Sequence, residues 1–552
     1  MCGIYLKYLQ DPSNPKEAIE AIKRLDSIKH RGPDDFRYVI HNNWFLGFTR
    51  LAIVDVSERA NQPLTNPFFP VTNYIICNGE IYNHSILRKD ISIKSFSNSD
   101  CEIILHLLLE QDISTVCNTL DGVFALACII EDKLYIARDP IGIRPLFYGI
   151  DQFGYITLAS EAKALIGSCD QVRAFPPGCY TCLPLDTPHH TMEIHNYVPS
   201  TLYNPAIIYT ETEQHCIEAL TQIRTTLIEA VMKRTMTDRP IGLYLSGGLD
   251  SSLIAAILAK HAKLSFTAFT IGMKGGEGPD MKAAECVAEY LGIPLVKVYF
   301  TSEEGCALIE DIIYQLETYD TTTIRASIPN YLVSKYVQRR EIEKVILMGE
   351  GPDEVAQGYQ YFKQAPDSEK GYLESVRLVK NLYKTDVLRT DRTTSAHGLE
   401  VRVPFLDKRF IETVYSMPRK WVCASEGNTK NLIRSAFDPK IAGCEKYLPD
   451  KILWRQKEAF SDSVGYDWRK SLGERADKLV TDETMTNATR LYPQNTPKSK
   501  EAMLYRQIYD RWYKHIDNVD KYWMPEESWF DTKLTDPSAL VLNCYNNSNE
   551  DQ

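Results

Sequence analysis

Ile241-Gly242-Leu243-Tyr244-Leu245-Ser246-Gly247-Gly248-Leu249-Asp250-Ser251-Ser252 stands near the middle of the chain and decides how the rest is read. Its first five residues read as a short buried strand, and Leu253 to Lys260 is a run of good helix formers. Between them, Ser246-Gly247-Gly248 supplies the backbone freedom that lets main-chain N–H groups face outward. Asp250, Ser251 and Ser252 then fall at the helix start, where capping residues belong. Backbone amides and a helix N-terminus that converge on one point form an anion site. No Gly-Lys-Ser/Thr follows four residues after a glycine, so this is not the common nucleotide loop.

Downstream, strand and helix patterns alternate. Phe266–Ile271 predicts a strand, Met281–Leu291 a helix, Leu295–Phe300 a strand and Glu303–Glu317 a helix. Ile328–Arg339 predicts a further helix, and Lys344–Met348 a strand running into Gly349-Glu350-Gly351-Pro352-Asp353-Glu354. Thr212 to about Lys233 predicts the helix that leads into the central strand. Such alternation implies an α/β domain with a mostly parallel sheet covered by helices. Ligands then lie at the carboxyl ends of its strands, here Leu245-Ser246, Ile271-Gly272 and Met348-Gly349.

Upstream the pattern is different. Gly3–Leu9 reads as a strand, followed by a helix-like stretch to Ile28. Val123–Ile130, Leu134–Ala137 and Tyr155–Ala159 read as hairpin strands ending in a helix-like Glu161–Ile166. This implies an α+β domain of stacked antiparallel sheets with helices. Pro176-Pro177 and the stretch Pro184–Pro205 predict irregular chain leaving that domain. Cys179-Tyr-Thr-Cys182 has no second pair at zinc-finger spacing and reads as structural. His189-His190, six residues before His195, reads as solvent-exposed rather than metal-ligating.

A chain of 552 residues exceeds one core, and about 150 residues per domain suggests two to four. With 44% hydrophobic and 24% charged residues, the composition is that of a soluble globular enzyme. The net charge of −11 argues against nucleic acid as a partner, because phosphate backbones are bound by basic surfaces. No apolar run approaches ~18 residues, and no secretory signal opens the chain. The 14 scattered cysteines fit reduced thiols in the cytoplasm. The small residue Cys2 permits removal of Met1. An N-terminal cysteine then carries a nucleophilic thiol and, on the same residue, an α-amine of pKa ~7.7–8 that can take its proton.

The companions of Cys2 are His30-Arg31-Gly32-Pro33-Asp34, Arg50-Leu51-Ala52-Ile53-Val54-Asp55, Asn78-Gly79-Glu80-Ile81-Tyr82-Asn83, Ser99-Asp100 and Arg138-Asp139-Pro140 through Tyr148. In this set the chain resembles the glutaminase domain of class II glutamine amidotransferases, which are N-terminal nucleophile hydrolases. The resemblance implies that Cys2 attacks the glutamine side-chain amide, forming a thioester and releasing ammonia. It assigns the oxyanion donors to the Asn78 side chain and the Gly79 N–H. Arg50 becomes the fork for the substrate α-carboxylate, and Glu80 and Asp100 the acids for its α-ammonium. Leu51, Ala52, Ile53 and Val54 complete the implied glutamine pocket. Each has a plainer reading as well: Arg50 could pair with Asp55, and Asp100 could cap a helix over Cys101–Glu110.

The central loop, S-G-G-x-D-S, resembles the pyrophosphate loop of ATP pyrophosphatases. Further carrying residues are Pro279-Asp280, Glu317 to Ser327, Gly349–Glu354, Gly358-Tyr359, His397 to Asp407, Trp454 to Asp462, Asn495 to Glu501 and Tyr522-Trp-Met-Pro525. Together these resemble the glutamine-hydrolysing asparagine synthetases, most closely their eukaryotic branch. That family makes asparagine from aspartate with ammonia from glutamine, through β-aspartyl-AMP, yielding glutamate, AMP and pyrophosphate. The resemblance implies ATP against Leu245, Ser246, Gly247, Gly248, Asp250, Ser251, Ile271, Met348, Gly349 and Asp353. It implies Mg²⁺ held through Asp250 and Asp353, Lys457 and Arg325 neutralising phosphate charge, and Glu350 as the base for ammonia attack. It also implies an apolar passage for ammonia, a homodimer, and boundaries at 2–205 for the glutaminase, 206–530 for the synthetase and 531–552 for a tail. Met348 and Pro352 stand where the family usually has serine. Two alternatives therefore stay open: a relative that adenylates another carboxylate, and a catalytically degraded homologue.

Overall fold

The computed structural model describes residues 1–190, 192–210, 212–275, 278–424, 428–456, 467–514, 516 and 522–530 of the chain. The expected tail, 531–552, lies outside the described residues.

The N-terminal part is built on two antiparallel sheets. Its strands are β1 (Gly3–Tyr8), β2 (Asp35–His41), β3 (Trp44–Arg50), β4 (Asn73–Ile81), β5 (Gly122–Ile130), β6 (Lys133–Arg138), β7 (Phe147–Ile150), β8 (Ile156–Ala159), β9 (Val172–Ala174), β10 (Cys179–Pro184) and β11 (His195–Asn196). One sheet runs β2-β3-β1-β8-β7-β9 and the other β11-β10-β6-β5-β4. Side chains alternate between faces along a strand. Ile4 and Leu6 of β1, Leu46 and Phe48 of β3, and Ala125, Ala127 and Ile129 of β5 therefore share one buried layer between the sheets. The opposite face of β5, Phe124, Leu126 and Cys128, is covered by the helix Ile103–Glu110. Helix Pro15–Asp26 covers the other sheet through Ala21 and Leu25, packed with Tyr5 and Phe45.

The C-terminal part carries β12 (Ile241–Tyr244), β13 (Phe266–Met273), β14 (Leu295–Phe300), β15 (Val345–Leu347) and β16 (Glu400–Arg402). They form one parallel sheet in the order β14-β13-β12-β15-β16. Helix Leu249–His261 is buried from Leu249 to Leu258. Its stretch Leu253–Leu258 is apolar on every side, as suits a helix inside a core, and the helix carries the central loop at the end of β12.

Several elements differ from the sequence reading. Glu303–Glu317 is two helices, Ser302–Ala307 and Ile309–Leu316, that break at Leu308; Thr301 and Glu304 close a capping box that sets the start of the first. The helix read as Ile328–Arg339 begins at Thr321, capped by Asp320, and takes Pro329 inside it. Glu161–Ile166 shrinks to a 3₁₀ turn at Ala162–Leu165. His189 is not solvent-exposed: it is buried, its Nε2 lies 2.8 Å from the Pro184 carbonyl, and its Nδ1 accepts from the Ile156 N–H. Cys179 is buried and Cys182 exposed, as expected for positions i and i+3 of a strand, which face opposite ways.

The two parts meet across a buried ionic seam. Arg31 makes a bidentate pair with Asp391 at 2.8 and 2.9 Å, binds Glu161 at 2.8 Å and donates to the Cys2 carbonyl. Arg392 reaches Glu161 at 2.7 Å and Glu317 at 2.8 Å. Removing one partner of a buried pair leaves the other uncompensated, at about 3–5 kcal/mol. Asp391→Ala should therefore lower the thermal unfolding midpoint by several degrees; calorimetry showing no change would mean the seam carries little stability.

Candidate active sites

Pairing of Gly3 with Thr49 sets Cys2 beside the end of β3. The Cys2 Sγ lies 3.4 Å from the Leu51 N–H, and the Cys2 N–H donates to Asn78 Oδ1 at 3.0 Å. Asn78 Nδ2 is buried with no hydrogen-bond partner. A buried orphan donor is costly unless a ligand satisfies it, and this one can serve an oxyanion formed at Cys2. With Met1 present, burial pushes the Cys2 thiol up to about 11. The Met1 amine donates to the Leu399 carbonyl, and burial pulls it down to about 5. In that state the Cys2 nitrogen is an amide and cannot act as a base. Nucleophilic chemistry here needs the free amine that loss of Met1 creates.

The other residues expected in the glutamine pocket lie on β3 and the loop after it, on β4, and at Asp100. Arg50 is buried, with Nη1 on the Ser57 carbonyl at 2.9 Å and on Asn61 Oδ1 at 2.5 Å, and Nη2 on the Asp55 carbonyl. It pairs with the main chain at Asp55, not with the carboxylate, and its guanidinium orders the loop that follows β3. Within that loop the Ala52 N–H donates to Asp34, the Ala52 carbonyl accepts from Arg239 and the Ile53 carbonyl from the Asp238 N–H. Leu51, Ala52 and Ile53 are buried and Val54 is half-buried, so the loop is clamped between the two parts of the chain.

Glu80 and Asp100 lie together with Glu400 of β16. Glu80 is 3.2 Å from Arg402, which also holds Glu400 at 2.8 Å; Arg144 approaches Glu400 at 3.4 Å. Burial first, then Glu400 and Asp100, push the Glu80 carboxyl well above the usual range. Asp100 accepts from the Ile81 N–H at 2.7 Å rather than capping the helix after it, and burial raises it to about 6. For an acid with a raised folded value, the ionised form costs stability in full above about pH 6; that cost shrinks as pH falls from there and is gone below 3.8. Binding of an α-ammonium needs the ionised form. kcat/KM for glutamine hydrolysis should therefore fall with one proton below the pKa of the Cys2 amine, then with two below about pH 6. A slope that stays at one down to pH ~5 would remove Asp100 from substrate binding.

In the second site Gly247 has φ +76°, and a Cβ there would meet Ala284 N at 2.3 Å, so only glycine makes this turn. The Ser246 and Ser251 hydroxyls lie 3.1 Å apart across the loop. No side chain caps the helix that begins at Leu249. Leu245, Ile271 and Met348 are buried at adjacent strand ends, and the Met348 N–H is taken by the Arg402 carbonyl. A Cβ on Gly349 would come within 2.8 Å of Ser251 N, so the ends of β15 and the loop close on each other there. Pro352 occupies the first turn of the short helix Pro352–Val355, where its missing N–H is tolerated.

Asp250 and Asp353 converge on one ammonium. Lys430 Nζ lies 2.6 Å from Asp250 Oδ2 and 2.7 Å from Asp353 Oδ1, with the lysine fully buried. Asp250 Oδ1 is buried without a partner. Glu350 is held by Arg389 at 2.9 Å. Arg325 is fixed by Glu501 through Nε at 2.8 Å and Nη2 at 2.6 Å, so two of its nitrogens are committed to a carboxylate. Lys457 lies outside the described residues. Among the described residues no group of three or more His, Cys, Asp or Glu side chains forms a metal cluster, and no helix is long and apolar enough to cross a membrane.

Sequence reasoning missed Lys430, Arg389 and Arg402. Arg402 stood inside a quoted motif with no role attached, and Lys430 lies in a polar stretch that carries no spacing signal.

Two family models match the chain. One, described as asparagine synthase, covers residues 222–378 and 372–534; the other, a glutamine amidotransferase domain, covers residues 1–187. The chain is similar to the glutamine-hydrolysing asparagine synthetase of Mus musculus, at 41% identity over 572 residues and 99% of each chain. Those of Homo sapiens and Gallus gallus are each 40% identical, again over 99% of both chains. With family models over both parts and relatives matched over 99% of their length and of its own, the chain belongs to the asparagine synthetase family.

Proposed function

We propose that this chain makes asparagine from aspartate, glutamine and ATP in two centres joined across the ionic seam. The observation that carries the reading is the pairing, in one chain, of Cys2 beside the unsatisfied Asn78 amide with an uncapped Ser246–Ser252 loop. In the first centre the free α-amine takes the Cys2 proton, the thiolate attacks the glutamine amide, and Asn78 Nδ2 with the Gly79 N–H receives the oxyanion. Asp100 and Glu80 hold the α-ammonium. Arg50 shapes the pocket through its loop, and its charge attracts the α-carboxylate. Ammonia leaves and glutamate follows after thioester hydrolysis.

In the second centre the loop amides and the N-terminus of Leu249–His261 take the phosphates. The aspartate β-carboxylate attacks the α-phosphorus and pyrophosphate departs. Lys430, Arg325 and Lys457 balance the developing charge. Asp250 and Asp353 fit Mg²⁺, since Asp250 Oδ1 is a buried carboxylate oxygen without a partner; a bound Mg²⁺ would screen the phosphates there. Glu350, oriented by Arg389, takes the proton as ammonia attacks the acyl adenylate. We place the boundaries at 2–205 and 206–530. The thirteen free cysteines among the described residues support a reducing, cytoplasmic setting. A homodimer rests on family membership, and sedimentation tests it.

Incubation with glutamine, ATP and aspartate should yield asparagine, glutamate, AMP and pyrophosphate together; AMP without asparagine would point to another acceptor. Met348 and Pro352 bear on the degraded-homologue alternative. The Met348 N–H already has a partner and Pro352 fits its turn, so each lost hydroxyl costs only about one hydrogen bond, roughly 0.5–1.5 kcal/mol. The double change Met348→Ser, Pro352→Ser should alter kcat/KM for ATP by less than about 100-fold in the ammonia-dependent reaction. An inert native chain revived by that change would establish the degraded reading.

A further inference from the structure

A cavity of about 290 Å³ opens on the domain seam, and none of its lining residues is one placed in either centre. Arg138, Pro145, Phe147, Arg173 and Ala174 line it from the N-terminal part. Leu316, Glu317, Tyr383, Lys384 and Leu388 line it from the C-terminal part. Its volume is at the small end for ligand sites, which run from about 300 Å³ upward.

Three of its lining residues are cations and one is an acid. The acid is already neutralised: Glu317 accepts from the Ala162 N–H at 2.9 Å, the Lys163 N–H at 2.7 Å and Arg392 at 2.8 Å. Arg138 is the opposite case. It is buried, and its hydrogen bonds end on the carbonyls of Arg144, Phe175 and Gly142, so among the described residues no carboxylate in contact balances its charge. Burial accordingly pulls its guanidinium down to about 10. The Tyr383 ring lies 5.1 Å from that guanidinium, which fixes its plane at the cavity wall. Phe147, Leu316, Leu388 and Pro145 supply apolar wall between the charges.

We propose that this cavity binds a small carboxylate with an apolar, aromatic-sized body, bridging the two parts of the chain. The anionic end meets Arg138, Arg173 and Lys384, and the body lies against Phe147, Leu316 and Leu388. A neutral or cationic ligand would leave Arg138 unbalanced, and a bare inorganic anion would leave the apolar wall unused. The site goes beyond the proposed function, because none of the residues placed on glutamine, aspartate or ATP lines it, apart from its shared seam.

The test is ¹⁹F NMR of 4-fluorophenylacetate with the full chain. Saturable line broadening with a Kd of about 1 mM or tighter is expected. Arg173 is exposed, so Arg173→Glu should leave the thermal midpoint unchanged, and Arg173→Glu and Lys384→Glu should each weaken the probe by at least about tenfold. Absence of saturable broadening, or equal binding by both variants, overturns the proposal. Displacement by ATP or glutamine would put the probe in a substrate site and overturn it. Full displacement by equimolar inorganic phosphate would show that charge alone is recognised, and would overturn the amphipathic assignment. No readout depends on asparagine synthesis, so this proposal and the functional one fail separately.

Discussion

Cys2→Ala should abolish glutamine hydrolysis, by at least about 10⁴-fold, while synthesis from added ammonium salt continues within about threefold of the native rate. The thiol is the atom that would bond to substrate carbon, and among the described residues no second thiol contacts the Leu51 main chain: Cys77 of β4 and Cys101 are buried in the neighbouring core cluster. The methyl side chain that replaces it keeps the Asn78 contact through the main chain and leaves the distant loop at Ser246 untouched. Two assays on one preparation check this, with glutamate measured from glutamine and asparagine measured from ammonium. Loss of both activities would contradict separable centres. Survival of glutamine hydrolysis would remove Cys2 as nucleophile.

Asp250→Asn should have the reverse effect. The change removes the negative charge of one of the two carboxylates on the buried Lys430 ammonium and leaves a single oxygen where Oδ1 and Oδ2 stood. Charge at the phosphate site is then unbalanced, and loss of a preorganised electrostatic contact in such a site typically costs 10²–10³ in rate. Aspartate-dependent pyrophosphate release should fall by at least about 100-fold while glutamine hydrolysis continues. Continued hydrolysis also serves as the check on folding. An unchanged rate of pyrophosphate formation would take Asp250 out of the site. Lys430→Ala gives a second view, because it leaves Asp250 and Asp353 facing one another; it should lower the same rate and spare the glutaminase.

What could be read in the chain and what could not follow from distance along it. Ile241 to Ser252 is local: a strand, a glycine turn and a helix start in twelve residues announce an anion site, and the structure puts Gly247 at positive φ as that turn requires. The alternation behind it gave a parallel sheet, which is what forms. Cys2, Asn78 and Asp100 were legible only as a set of motifs, and pairing of β1 with β3 is what brings Cys2 to Leu51. Lys430 meets Asp250 across 180 positions and Arg402 meets Glu80 across more than three hundred, so no spacing pattern reports them. The capping box at Thr301 is readable and marks the start at Ser302, whereas the break at Leu308 carries no sequence signal. His189 looked like linker and is core, because its ring satisfies the Pro184 carbonyl and the Ile156 N–H.

The two centres matter only if nitrogen passes from one to the other. Amide-¹⁵N glutamine, supplied with ATP, aspartate and an excess of unlabelled ammonium at a pH near 7, tests that most directly. Asparagine should carry ¹⁵N in its side-chain amide in a proportion well above that of ¹⁵N in the free ammonium pool, with AMP and pyrophosphate formed alongside. Asparagine labelled no more than the pool, or no asparagine at all, would contradict a single chain that makes its own ammonia and spends it on β-aspartyl-AMP.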